Sequence, residues 1–169
     1  MKYVSTRDNS KEYNFEQVFI KGLADDGGLY VPTSLKKYSP QELHELKKLN
    51  YNELSTEIIN LFSSDFISKD ELSTLVKKSY STFREKEVVK LSNVGEIKLL
   101  ELFHGPTLAF KDVAMQFIGN LYEYYLTKNN KKINIVVATS GDTGAAAIDA
   151  IKGKSNSVSY THLRAHETD

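Results

Sequence analysis

Apolar side chains recur every three or four residues through the first half of the chain, which predicts amphipathic helices. Four such stripes are present: Phe15, Val18 and Phe19; Leu43, Leu46 and Leu49; Leu54, Ile58, Leu61 and Phe62; and Leu72, Leu75 and Val76. Ser39 and Pro40 supply an N-cap and a first helical residue for the second stripe, and Asp70 is expected to cap the last. We assign these stripes to core packing and predict a mostly helical amino-terminal domain, residues 1–87.

The pattern changes after residue 87, where short apolar runs alternate with helical stretches. Residues 97–102 and 133–137 are predicted to be strands, and the second has the β-branched composition of a buried parallel strand. One helix face is predicted from Ala114, Phe117, Ile118, Leu121 and Tyr125, and residues 145–151 are strong helix formers. This order of strands and helices predicts an α/β fold with a parallel sheet, which begins within residues 88–156.

Composition narrows the class of protein. The 22 basic residues balance the 22 acidic ones, so no single-sign field indicates a nucleic-acid or membrane partner. The chain has no cysteine, which excludes a disulfide scaffold and fits a reducing compartment. No apolar run has the length of a membrane span, and the first residues do not resemble a signal peptide. We therefore expect a cytoplasmic protein.

Lys111 follows a Gly-Pro turn and the apolar residues Leu108, Ala109 and Phe110, at the start of a predicted helix. A lysine becomes a nucleophile at neutral pH when apolar neighbours exclude water, because burial disfavours its charged form. Lys111 is therefore a candidate imine-forming lysine. The alternative is an ordinary helix-start lysine whose ammonium group remains in water.

A second motif, residues 138–144, lies between the predicted strand and helix of the α/β region. Turn amides at a helix start attract anions, and the hydroxyls of Thr139, Ser140 and Thr143 add hydrogen-bond donors. Gly141 and Gly144 allow a ligand to approach the backbone closely. The spacing differs from that of nucleotide loops, which favours a small anion. A well-capped strand-to-helix turn without a ligand is the alternative.

The histidines give weaker signals. His162 and His166 are four residues apart, a spacing found among metal ligands, but no further ligand set accompanies them. We therefore predict no metal site. His104 precedes the Gly-Pro turn and could orient the lysine, bind phosphate or act as a hydrogen-bonded turn residue, so its role stays open.

Together these motifs resemble the threonine synthase family. Residues 101–116 resemble that family's pyridoxal-phosphate lysine motif, and residues 139–144 resemble its substrate-binding loop. The amino-terminal elements 3–7, 15–18 and 22–32 occur in the family's order, and the last of them distinguishes this family from its relatives. The resemblance implies a fold-type II pyridoxal-phosphate enzyme that converts O-phospho-L-homoserine and water into L-threonine and phosphate.

The resemblance also implies roles for individual residues. Lys111 would bind the cofactor as an imine and move protons during catalysis. Ser140, Gly141, Thr143 and Gly144 would hold the anionic end of the substrate. Asp142 would face the ring hydroxyl of the cofactor, where related fold-type II enzymes often have asparagine. A serine/threonine dehydratase, a cysteine-synthase-like enzyme and a non-enzymatic anion-binding α/β module are the alternatives.

The family pattern runs from about residue 2 to about residue 156. Residues 157–169 do not continue it, and we interpret them as a non-native tail such as translated adapter sequence. The family's cofactor-phosphate loop and pyridine-nitrogen partner would lie downstream, so we expect this truncated chain to be inactive alone. We also expect an exposed tail whose deletion changes stability by less than about 0.5 kcal/mol.

Overall fold

The structure of the protein is a computed structural model that describes residues 1–163. The chain divides into two compact units, Met1–Thr74 and Leu75–Asp169. None of the helices in the described part of the chain is both long enough and apolar enough to span a lipid bilayer.

The first unit is mainly helical, and its predicted helices are confirmed. Its elements are β1 (Tyr3–Ser5), α1 (Phe15–Lys21), β2 (Tyr30–Pro32), α2 (Pro40–Leu46), α3 (Tyr51–Ser63) and the start of α4 (Lys69–Tyr80). Strands β1 and β2 pair antiparallel. Helices α1, α2 and α3 each begin with a reciprocal capping box, made by Asn14, Ser39 and Asn50 with the residue three positions later. Of these three caps, Ser39 was predicted from the sequence, and Asn14 and Asn50 were not.

The cap of α4 differs from the prediction. Ser68 Oγ accepts a hydrogen bond from the Glu71 amide at 3.4 Å, and the Glu71 carboxylate accepts one from the Ser68 amide at 3.2 Å. Asp70 lies in the first turn of the helix, where a negative charge is favourable, and is not its cap. The prediction for Asp70 was wrong because the Ser-x-x-Glu pair two residues earlier satisfies the helix start.

The second unit contains the α/β region, and the predicted α/β class is confirmed. It comprises the end of α4, β3 (Lys90–Val94), β4 (Ile97–Glu101), α5 (Asp112–Lys128), β5 (Ile133–Thr139), α6 (Asp142–Ile151) and β6 (Ser157–Leu163). Strands β5 and β6 are parallel and are connected through α6. Along β5, exposed and half-buried residues alternate, so one face of this strand is exposed.

Strand β4 does not join the parallel sheet, contrary to the order inferred from the sequence. It pairs antiparallel with β3, in a hairpin whose last pair is Val94 and Ile97. Gly95 has a φ of +62° and begins the two-residue turn, as tight hairpins require. The difference arises because the alternation of strands and helices does not specify which strands are neighbours.

Residues 157–163 differ from the expected exposed tail. They form β6, whose pairing with β5 starts at Ile133 and Ser157 and ends at Thr139 and Leu163. The expectation of an exposed appendage with few core contacts was wrong for the backbone of these residues, because valine, tyrosine and threonine favour an extended backbone and β5 offers an open edge. The small effect expected from deleting residues 157–169 no longer follows. Residues 164–169 lie outside the described part of the chain.

Candidate active site

Lys111 lies immediately before α5 and already has helical backbone angles, with φ of −61° and ψ of −23°. Its side chain is half-buried, and Nζ lies 4.5 Å from the centroid of the Phe110 ring. An open cavity of about 340 Å³ is lined by Leu102, Phe110, Lys111, Val113, Ala114 and Met115. Lys111 is therefore the one residue that carries an amine among the residues lining this apolar cavity.

The turn before Lys111 is fixed by a buried carboxylate that sequence reasoning missed. Asp112 is fully buried, and its two oxygens accept hydrogen bonds from the amide of Thr107 at 2.8 Å and from its hydroxyl at 2.7 Å. A Cβ on Gly105 would lie 2.4 Å from Cβ of Asp112, so only glycine fits there. The sequence signal that could have indicated this contact was an aspartate in the first helical turn, five residues after a threonine.

His104 is held by hydrogen bonds to Glu101, three residues earlier, and to Arg84. Its Nε2 lies 2.8 Å from Glu101 Oε2, and its carbonyl accepts a hydrogen bond from the Arg84 amide at 2.9 Å. A hydrogen bond from Ser92, which has the larger effect, and a second one from His104 hold the pKa of Glu101 below its usual value. These contacts match those of a hydrogen-bonded turn residue, one of the three roles that the sequence left open.

The predicted anion loop connects β5 to α6. Gly141 has a φ of +145°, a backbone conformation that favours glycine, and its amide donates to Thr139 Oγ1 at 3.3 Å. Ser140 and Asp142 are exposed, Thr143 is half-buried and Gly144 is buried. Because the N-cap is a glycine without a side chain, it cannot cap the first amides of α6, which lie at the positive end of the helix dipole.

Helices α5 and α6 run in the same direction, because their contacts advance together along the chain. Gln116 Nε2 donates to Asp149 Oδ2 at 2.7 Å, and Asn156 Nδ2, beyond the end of α6, donates to Glu123 Oε1 at 3.1 Å. The starts of the two helices therefore lie at the same end of the pair. Lys111 and the 139–144 loop both occupy that end.

Met115 links the two motifs at this end of the helices. It borders the Lys111 cavity, and it also borders a second cavity of about 180 Å³ to which Thr143 contributes. The rest of the second cavity is lined by residues of α5, β5 and α6: Ile118, Gly119, Tyr122, Ile135, Val137, Ala147, Ala150 and Ile151. The structure therefore brings Lys111 and Thr143 to adjoining cavities, one apolar around an amine and one beneath the anion loop.

Metal ligation has no support in the described part of the chain, where no cluster of three or more histidine, aspartate or glutamate side chains could hold an ion. Of the two histidines weighed as ligands, His162 lies in β6 and His166 lies outside the described residues.

Comparisons with known proteins agree on one family. A family model described as the threonine synthase N terminus matches residues 2–80. The threonine synthases of Schizosaccharomyces pombe and Saccharomyces cerevisiae are 43% and 45% identical to this chain. Those two alignments cover 91% and 90% of this chain and 32% and 33% of the relatives. The chain thus spans about a third of the length of these curated relatives.

Solved structures give the same result. Threonine synthase from Brucella melitensis, solved with bound pyridoxal phosphate, superimposes with a TM-score of 0.93 at 37% identity. That match covers 100% of this chain and 37% of the solved one. Yeast threonine synthase superimposes with a TM-score of 0.90 at 41% identity, over 95% of this chain and 35% of its own. The chain therefore corresponds in sequence and fold to the amino-terminal part of threonine synthases.

Proposed function

We propose that this chain is the amino-terminal part of an enzyme that converts O-phospho-L-homoserine and water into L-threonine and phosphate, with pyridoxal 5′-phosphate as cofactor. The observation that carries the proposal is the position of Lys111 in an apolar cavity beside the cavity of Thr143, in a chain that corresponds to the amino-terminal part of threonine synthases. An apolar cavity with one amine suits an aromatic aldehyde. When bound, the cofactor supplies an electron sink for carbanion chemistry.

Lys111 has two roles in this proposal. Its amine attaches the cofactor covalently and, once the substrate's amine has displaced it, moves protons at Cα and Cβ of the substrate. Phosphate would leave from Cγ, which would take up a proton to become the methyl group, and water would add at Cβ. The half-buried position of Lys111 supports both roles, because the apolar lining of its cavity limits competing water near the amine.

The anion loop holds the substrate in this proposal. Ser140, Gly141, Thr143 and Gly144 bind its anionic end, which we assign to the α-carboxylate, through hydroxyls and helix-start amides. Asp142 is assigned to the ring hydroxyl of the cofactor, where a carboxylate requires a shared proton. The exposure of Ser140 and Asp142 and the glycine N-cap of α6 support a ligand at this loop.

Replacement of Thr143 by valine is expected to raise KM for O-phospho-L-homoserine by about ten- to a hundred-fold, and to alter cofactor affinity less. The change deletes one hydroxyl donor to a charged group and keeps the shape of the side chain. Steady-state kinetics and cofactor titration of the full-length enzyme measure the two effects. Thr74→Val is the matched control, because that hydroxyl donates to Asp70 O within α4. Weakened cofactor binding with unchanged substrate kinetics would assign the loop to the cofactor instead.

The substrate is tested by assaying the full-length enzyme with O-phospho-L-homoserine, serine and O-acetylserine. Release of phosphate and threonine from the first, at a higher kcat/KM than for the other two, is the expected result. Faster turnover of serine would support a dehydratase, and faster turnover of O-acetylserine a cysteine-synthase-like enzyme. An anion-binding module without activity would show no cofactor absorbance at all.

The proposal also covers the domains of the chain and its location in the cell. Residues 1–87 form the amino-terminal domain, residues 88–156 begin the catalytic domain and residues 157–169 are a non-native tail. The family match to residues 2–80 supports the first assignment. A cytoplasmic location stays a prediction, which fractionation of cells that produce the full-length enzyme would test.

A further inference from the structure

The carboxylate of Asp112 has an unusual position for an acidic residue. It is fully buried, yet it adjoins the half-buried Lys111 in sequence and contacts the turn that leads to it. Both of its oxygens accept hydrogen bonds from Thr107, one from the backbone amide and one from the hydroxyl. The hydrogen bonds between Thr107 and Asp112 therefore enclose residues 108–111, the segment that leads into α5.

Burial of a carboxylate is costly unless hydrogen bonds and favourable dipoles replace water. Asp112 is the first residue of α5, where the helix dipole favours a negative charge, and Thr107 supplies two donors. Gly105 allows the close approach, because any Cβ at that position would overlap Asp112. The local sequence thus accommodates one buried charge at this point of the chain.

The enclosed segment holds a strained residue. Leu108 has a φ of +65°, an outlier for a bulky side chain, and the same side chain is 50% exposed. Its amide donates to Gly105 O at 3.2 Å. Such a conformation persists only where surrounding contacts fix it, and it is found mainly at functional sites. Core packing cannot be the reason for the strain, since half of the side chain faces solvent.

We propose that Asp112 and Thr107 form a clamp that fixes residues 105–111 and thereby sets the position of the Lys111 side chain beside its cavity. Both are positioning residues that act through Lys111 and do not touch the substrate. This inference rests on the proposed function for the role of Lys111. The fixation of the turn is a separate property that can be measured without cofactor.

Thr107→Val tests the clamp with the smallest change. It removes the hydroxyl donor, keeps the backbone donor and preserves the shape of the side chain. In the full-length enzyme without cofactor, we expect the amides of residues 107 and 108 to exchange with deuterium about tenfold faster, with no change elsewhere. With cofactor, we expect kcat to fall about tenfold and KM to change by less than about twofold, because misplacement of the reacting amine affects turnover more than binding.

Two further variants make the result specific. Thr107→Ser keeps the hydroxyl and should restore both slow exchange and kcat. Thr33→Val removes a hydroxyl that donates to Lys2 O at 3.2 Å in another turn, and should leave both measurements unchanged. Unchanged exchange at residues 107 and 108 in Thr107→Val, or failure of Thr107→Ser to restore it, would overturn the clamp. Failure of the unmodified enzyme to attach the cofactor would instead refute the proposed function and leave the exchange result intact.

Discussion

Replacement of Lys111 by alanine in the full-length enzyme is expected to abolish both cofactor-bound absorbance and turnover. The change removes the only amine in the lining of the candidate cavity, and covalent catalysis cannot proceed without its nucleophile. We expect the fold to survive with a loss of less than about 1 kcal/mol, because the side chain is half-buried and lies at the edge of an open cavity. Absorbance spectra measure cofactor binding, an activity assay measures turnover, and a urea unfolding curve measures stability.

Lys154 provides the sharpest control for this prediction. Burial, the larger cause, and the nearby charge of Lys78, the smaller one, hold the pKa of Lys154 below its usual value, so Lys154 meets a common criterion for a nucleophile. Its amine, however, donates to Asn120 Oδ1 at 2.7 Å and lies beyond the carboxyl end of α6, opposite to the anion loop. Lys154→Gln should therefore retain activity and absorbance. Loss of both in Lys154→Gln, with retention in Lys111→Ala, would show that the wrong lysine was chosen.

Replacement of Gly119 by alanine is expected to destabilise the protein by up to about 2 kcal/mol, because a steric cost exceeds a gain in helix propensity. Alanine inside a helix is favoured over glycine by about 1 kcal/mol. The added Cβ would lie 2.6 Å from the carbonyl oxygen of Ala150, and a backbone atom in a packed helix cannot move away easily. Overpacking of this kind costs about 1–3 kcal/mol and would shift α5 against α6, on which the position of Lys111 depends.

Urea unfolding measures this difference in stability, provided that the free energy of unfolding falls with urea concentration at the same slope in both proteins. Ala114→Gly, at an exposed position of the same helix, is the matched control and gives the size of the helix-propensity effect alone. Suppose that Gly119→Ala raises the free energy of unfolding by about as much as Ala114→Gly lowers it. Only helix propensity would then act at residue 119, and the close contact between α5 and α6 would not exist.

Much of the fold could be predicted because its signals are local. The helix starts at Asn14, Ser39 and Asn50 depend on residues three positions apart, and the helical stripes depend on spacing within one segment. The partner of β4 could not be predicted in the same way. Its antiparallel pairing with β3 depends on the turn at Gly95 and on competition among strands, which no single stretch of sequence encodes.

The site shows the same division between local and non-local information. Lys111 and the loop at Gly141 could be selected from residue types and order, because helix starts and glycine turns are local features. The contact between Asp112 and Thr107 passes across a segment in which Leu108 adopts a left-handed backbone. Intrinsic propensity disfavours that conformation for leucine, so only the folded structure reveals the clamp.

The most direct test of the central claim is borohydride reduction of the full-length enzyme after incubation with pyridoxal 5′-phosphate, followed by proteolysis and mass spectrometry. Reduction makes the attachment of the cofactor to a lysine permanent, so the modified peptide identifies the residue. We expect one major adduct, located on Lys111 and absent from the Lys111→Ala variant. An adduct on Lys154 or on any other lysine, or no adduct at all, would contradict it.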